Sequence, residues 1–305
     1  MHYNQIKNWV FLTRPWSYPA SAMPALVAIS YIFFRQSEYA FTNWHYGILA
    51  LLGAVIFQGS SNTINDYFDF KNKVDTKESL GINRLLIDGV LLPKPVLRFG
   101  ITLLIIGTLI GVFLMFSTDW NLLWIGGIGV LSAFFYYKMK YIALGDLLIF
   151  IIYGPLIGLG TALVMTKELV WDVMLVTIPV AFMVVNILHA NNTRDILGDT
   201  KANIKTQAII LGEKGSKIQY IVMSIGAYVA VVLLVACNLL HPFTLSVFVT
   251  LPLAIKNIKQ MQTAKIDKPE LIQDLDANSA KLVMIFGILL SLSNFIAICI
   301  IFDTN

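Results

Sequence analysis

Nine apolar runs recur along this 305-residue chain, at about 17–34, 46–64, 97–117, 121–137, 142–166, 170–190, 217–238, 241–257 and 281–302. Each is near the roughly 20 residues a helix needs to cross a bilayer core. Backbone N–H and C=O groups cannot be left unpaired in hydrocarbon, so runs of this length fold as helices. A spanning β-barrel would show short segments of alternating polarity instead, and that pattern is absent. Charged residues make up only 13% of the chain, where soluble domains carry about 25%. The expectation is an all-α integral membrane protein with nine transmembrane helices. No linker or low-complexity segment interrupts it, so residues 1–305 read as one membrane domain.

The basic residues set the orientation. With nine spans, 20 of the 22 Lys and Arg residues fall on the side shared by the N-terminus and the even-numbered loops, leaving only Arg35 and Lys167 opposite. The positive-inside rule then places the N-terminus in the cytoplasm and the C-terminus outside, in a multi-pass protein of the cell (inner) membrane. A net charge of +4 follows from a basic face meeting anionic lipid and calls for no nucleic acid.

Against this apolar background, two short polar stretches hold five of the 18 acidic residues. The first runs Asn65-Asp66-Tyr67-Phe68-Asp69 and on to Asp75; the second runs Asn191-Asn192-Thr193-Arg194-Asp195 and on to Asp199. Each closes an even-numbered span, so both emerge on the same face, where the longest loops also lie. A central cavity opening toward the cytoplasm is therefore expected. On a continuous helix, Asn191, Asp195 and Asp199 share one face, as do Asn65 and Asp69, with Asp66 one turn from Asp69. Carboxylates so arranged suit Mg²⁺, a hard ion that takes oxygen ligands and shares substrate phosphates. Arg84, Lys140 and Arg194 are the basic residues placed to meet remaining phosphate oxygens. Tyr136-x-x-x-Lys140 ends the fourth span on that face, although Tyr and Lys are also ordinary at a membrane interface. His189 reads as a packing residue.

These motifs resemble the UbiA superfamily of intramembrane aromatic prenyltransferases. The resemblance begins at Arg14-Pro15-Trp16-Ser17 and runs nearly the length of the chain. Asn65-Asp66-x-x-Asp69 with Asp75 is similar to the family's first aspartate-rich motif, Asn191-x-x-x-Asp195-x-x-x-Asp199 to its second, and Tyr136-x-x-x-Lys140 to an element used at the diphosphate. Many members carry Gly before the last Asp of the first motif, where this chain has Lys73-Val74-Asp75. The segments Leu144-Gly145-Asp146, Tyr153-Gly154-Pro155-Leu156 and His189-Ala190-Asn191-Asn192-Thr193-Arg194-Asp195, with Lys205-Thr206, resemble the naphthoate branch that makes menaquinone.

The resemblance implies a groove open laterally to lipid, holding the prenyl tail of a polyprenyl diphosphate. It implies Mg²⁺ bound by Asp66, Asp69, Asp75, Asp195 and Asp199. The diphosphate and the motifs would be held by Asn65, Arg84, Tyr136, Lys140, Asn191, Arg194 and Lys205. Transfer to 1,4-dihydroxy-2-naphthoate with decarboxylation gives demethylmenaquinone, and Asp146 is a candidate for acceptor binding or proton removal. Within the family, 4-hydroxybenzoate, homogentisate or haem are rival acceptors. From another class, an ion-coupled transporter also places acids in membranes, but on broken helices near the midplane and often in inverted repeats.

Overall fold

The computed structural model describes residues 2–74 and 84–303. Asp75 of the first motif lies outside the described residues. No strand occurs among them; one isolated parallel bridge joins Ile142 and Lys205. Helices account for the rest of the regular structure.

Short helix α1 (His2–Leu12) leads through a single 3-10 turn at Pro15–Ser17 into α2 (Pro19–Phe34). Together they form a pair bent by 58°, long and apolar enough to cross a membrane. Five helical stretches that pass the same test without a bend follow the expected runs: α3 (Trp44–Lys71), α4 (Pro93–Ser117), α5 (Leu122–Tyr141), the stretch Gly145–Thr166, and α11 (Gln207–Ala236). A sixth covers Pro269–Ile298 and contains most of α13 (Leu275–Asp303). The stretch Gly145–Thr166 consists of α6 (Gly145–Ile151), a π turn at Ile152–Leu156 and α7 (Ile157–Thr166).

The remaining two runs are divided. Residues 170–190 split between α8 (Asp172–Val176) and α9 (Ile178–Arg194). Residues 241–257 split between a 3-10 segment, Pro242–Thr250, and α12 (Leu251–Gln262). Pro179 and Pro252 explain both breaks: each sits in the first turn of the second helix, where a missing N–H ends the hydrogen-bond ladder of the preceding one. One further short helix, α10 (Ile196–Lys201), follows α9 after a break at Asp195.

The main core lies where α2, α9, α11 and α13 meet. Tyr31, Val180, Val231, Phe286 and Leu290 are buried there. A polar tie crosses it, as Asn294 donates to Ser30 Oγ at 3.1 Å. Two glycines set geometry that matters downstream. A Cβ on Gly154 would lie 2.4 Å from that of Ala181, so only glycine lets the π turn press against α9. Gly212 has φ 63°, a conformation other residues rarely adopt, and it breaks α11 near its start. Pro155 within the π turn lacks an N–H, and Tyr153 departs from helical geometry at φ −87°, ψ 30°. Such widened turns recur at functional sites, and Tyr153 here faces the cavity described next.

Candidate active site

The first motif occupies the last two turns of α3. Asn65 donates to Asp69 Oδ2 at 2.8 Å, one turn along the helix. Two groups from the end of α5 complete the set on Asp69: Tyr141 OH donates to Oδ1 at 2.6 Å, and Lys140 Nζ reaches Oδ2 at 3.4 Å. The rings of Phe68 and Tyr137 stack with centroids 3.9 Å apart, which fixes α3 against α5 beside this carboxylate. Asp66 pairs with Arg14, in the turn between α1 and α2. Both aspartates are buried, as is Lys140. Burying such charges is tolerable only because each is paired and hydrogen-bonded.

The second motif repeats the first bond: Asn191 donates to Asp195 Oδ2 at 3.1 Å. Its surroundings differ. Arg194 donates to both oxygens of Asp195, from Nε at 2.9 Å and from Nη2 at 3.1 Å. Nη2 also donates to Asn191 Oδ1 at 2.6 Å, and Nη1 donates to Gln273 O and Asp276 Oδ2, both at 3.1 Å. The five N–H groups of the guanidinium therefore all have partners within the protein. The i, i+4, i+8 alignment assumed a continuous helix, but the backbone breaks at Asp195 (φ −92°, ψ 8°). Asp199 is buried.

The two motifs converge on one polar cavity of about 150 Å³. Of the residues expected from sequence, Asn65, Asp69, Arg84, Tyr136, Lys140, Asn191, Arg194 and Asp195 line it. Asp66, Asp146, Asp199 and Lys205 do not line it. Lys205 is exposed on the loop after α10, and its backbone N–H donates to Tyr141 O at 3.2 Å. An apolar pocket of about 440 Å³ lies between α3, α4, α5 and the Gly145–Thr166 stretch, lined by residues such as Phe57, Leu123, Gly127 and Leu156. Ser61, Tyr136, Ile149 and Tyr153 line both, so the polar and apolar volumes adjoin.

Asp146 belongs elsewhere. It is buried behind α9 with His189, whose Nδ1 lies 2.8 Å from Asp146 Oδ2. Gln219 donates to the same oxygen at 2.8 Å and Asn192 to Oδ1 at 3.3 Å. His189 Nε2 faces the Ser216 carbonyl at 3.1 Å. His189 is thus one end of a hydrogen-bonded tie between α6, α9 and α11, beyond plain packing.

Sequence reasoning passed over Arg14, Tyr141 and Asp276 as site groups. Arg14 and Tyr141 carried a signal, one opening the Arg-Pro-Trp-Ser segment and the other adjoining Lys140; Asp276, a lone acid at the start of the last helix, carried none.

The residues present fit a hard divalent cation. Asp69 and Asp195 offer carboxylate oxygens to one cavity, and Asn65 Oδ1 is buried there with no hydrogen-bond partner. Among the described residues, no three His, Cys, Asp or Glu side chains gather as a ready metal cage. Sparse protein ligation is the pattern for Mg²⁺, which keeps waters and binds through one or two carboxylates plus substrate phosphates.

Residues 21–271 match the model of the UbiA prenyltransferase family. The chain belongs to that family. It is 31% identical to UbiA prenyltransferase domain-containing protein 1 of Gallus gallus, over 92% of this chain and 82% of that one. It is 30% identical to 1,4-dihydroxy-2-naphthoate octaprenyltransferase of Bacillus subtilis, over 81% and 80% respectively. Its fold is similar to that of a UbiA homologue from Aeropyrum pernix (TM-score 0.65, 16% identity, 93% of this chain and 98% of that one). It is also similar to a UbiA homologue from Archaeoglobus fulgidus bound to DMAPP and Mg²⁺ (TM-score 0.58, 14% identity, 93% and 99%). This UbiA-family chain is a multi-pass membrane prenyltransferase, which displaces the transporter reading.

Proposed function

We infer that this enzyme transfers a polyprenyl group from a polyprenyl diphosphate to 1,4-dihydroxy-2-naphthoate, with loss of carbon dioxide and diphosphate, to give demethylmenaquinol, the hydroquinone form of demethylmenaquinone. One observation carries the reading: a cavity lined by Asn–Asp pairs from both motifs adjoins an apolar pocket suited to a prenyl chain. The naphthoate acceptor is supported by the Bacillus subtilis relative, named for that substrate.

In this reading Asp69 and Asp195 would hold Mg²⁺ together with the diphosphate, and Asn65 and Asn191 orient their carboxylates. The bound ion supplies neutralisation of the charge that builds on the leaving diphosphate. Arg84 and Lys140 bind its remaining oxygens. Asp66 acts through Arg14, and Asp199 through the backbone of the broken turn, where its own N–H donates to Asp195 O at 2.9 Å. Tyr136 and Tyr153 stand at the junction of the two volumes, so their ring faces meet an allylic cation as the C–O bond opens. The electron-rich naphthoate ring captures that cation, and the carboxyl group leaves as carbon dioxide. Asp146 and His189 fix α9 from behind and take no part in the chemistry. Residues 1–305 act as one domain whose nine spans put the cavity mouth toward the cytoplasm and the apolar pocket toward lipid, in the cell (inner) membrane.

The test uses membranes containing the protein, dihydroxynaphthoate, a labelled polyprenyl diphosphate and Mg²⁺. Labelled demethylmenaquinol, recovered as demethylmenaquinone after oxidation in air, is expected, and none from the Asp69→Ala/Asp195→Ala variant. Product with 4-hydroxybenzoate instead would keep the mechanism and move the acceptor. No prenylated aromatic product from folded protein would overturn the reading.

A further inference from the structure

The guanidinium of Arg194 is buried between two carboxylates, Asp195 of the second motif and Asp276 at the start of α13. Only 4% of its side chain is exposed, against 28% for Asp195. All three side chains line the cavity, with the Asp195 carboxylate the most open of them. We propose that Asp276 is a positioning residue of the metal site: it balances the charge of Arg194, so that Asp195 keeps a net negative charge to offer a divalent cation. The proposal rests on the metal-site reading given above.

The geometry supports this in three ways. Arg194 donates to both oxygens of Asp195, so a lone arginine there would cancel the charge that a metal ligand needs. Asp276 Oδ2 takes one Nη1 proton at 3.1 Å, and the Gln273 carbonyl takes the other. One cation shared by two anions leaves the trio with one net negative charge. Asp276 is itself fixed, since the Ala277 N–H donates to its Oδ1 at 2.8 Å, and it lines the same cavity as Asp69 and Asp195. Like charges in one cavity deepen its potential for a cation. The arrangement also ties the second motif to the segment before α13, 79 and 82 residues along the chain.

Asp276→Asn keeps the shape and can still accept from Arg194, so it removes charge alone. Asp276→Glu keeps the charge. Mn²⁺ binding to the detergent-purified full chain is read from the loss of the free-ion electron paramagnetic resonance signal, with a non-reactive prenyl thiodiphosphate present. A thermal melt of each variant accompanies it. Asp276→Asn is expected to weaken Mn²⁺ binding roughly fivefold to tenfold, with Asp276→Glu restoring it to within about twofold of the unsubstituted protein. In turnover, the Mg²⁺ concentration at half-saturation should rise while KM for the prenyl diphosphate at saturating Mg²⁺ stays unchanged. Unchanged Mn²⁺ affinity in a folded Asp276→Asn would overturn the inference alone. Equal weakening in Asp276→Asn and Asp276→Glu would also overturn it, because geometry and not charge would then matter. No Mn²⁺ bound by the unsubstituted protein would overturn the metal-site reading and this inference with it.

Discussion

The two aspartate motifs share one internal bond and differ in almost everything around it. In both, an asparagine amide donates to the carboxylate one turn later, at 2.8 Å in the first and 3.1 Å in the second. The first motif lies on an unbroken helix, and its charges are met from outside, by Arg14 before α2 and by Lys140 and Tyr141 from α5. The second lies at a helix break and is met chiefly by its own neighbour, Arg194. The first motif is therefore assembled by tertiary packing, while the second is largely built by local sequence and then anchored to α13. Equal spacing in sequence does not mean equal construction. What the motifs share is the side of the cavity each supplies.

The largest effect should come from the carboxylates themselves. Asp69→Asn and Asp195→Asn are each expected to lower prenyl transfer at least about 100-fold, as losing a charge-stabilising group does. Losses differing by more than tenfold, in the same turnover assay, would break the equivalence of the two motifs.

Lys140→Met should cost roughly 10- to 100-fold, because it leaves the buried Asp69 without its cation and removes a diphosphate contact. Its thermal melt should fall as well. A variant with full activity would mean that the first motif does not depend on α5.

A third comparison concerns the shared bond. Asn65→Ala and Asn191→Ala should each cost about 0.5–1.5 kcal/mol in kcat/KM, the worth of one hydrogen bond. Near-equal values would sharpen the likeness of the motifs. A much larger loss at Asn65 would point to its unpartnered Oδ1 as a ligand in its own right.

The smaller effects lie away from the cavity. Asp146→Asn disturbs the tie to His189, Gln219 and Asn192 and should lower stability by about 1–3 kcal/mol, read by thermal melting. Its activity at permissive temperature should stay within about threefold. Lys205→Ala should leave activity within about twofold, since that side chain is exposed outside the cavity.

The membrane class and the helical regions were legible because apolar length is a local property that lipid enforces. The divided runs were less legible. Pro179 and Pro252 announce breaks, but whether a short helix continues past them depends on packing. The polar motifs stood out for the same reason that the spans did, as carboxylates set against an apolar background. Asp199 was expected from a periodicity argument that assumes a continuous helix, and the turn at Asp195 could not be read from the sequence. The parts played by Arg14, Tyr141 and Asp276 were hidden because their partners lie 52, 72 and 82 residues away. Asp146 is instructive in another way: the family-like segment around it marked an important residue, yet its environment is a buried tie and not the cavity wall.

The central claim is that both motifs grip one ligand through metal. It is tested most directly by titrating a non-reactive prenyl thiodiphosphate into the purified protein, with and without Mg²⁺, for the unsubstituted chain, Asp69→Asn and Asp195→Asn. Tight, Mg²⁺-dependent binding by the unsubstituted chain, lost in both variants, is the expected result. Undiminished binding in either variant, or binding indifferent to Mg²⁺, would contradict it.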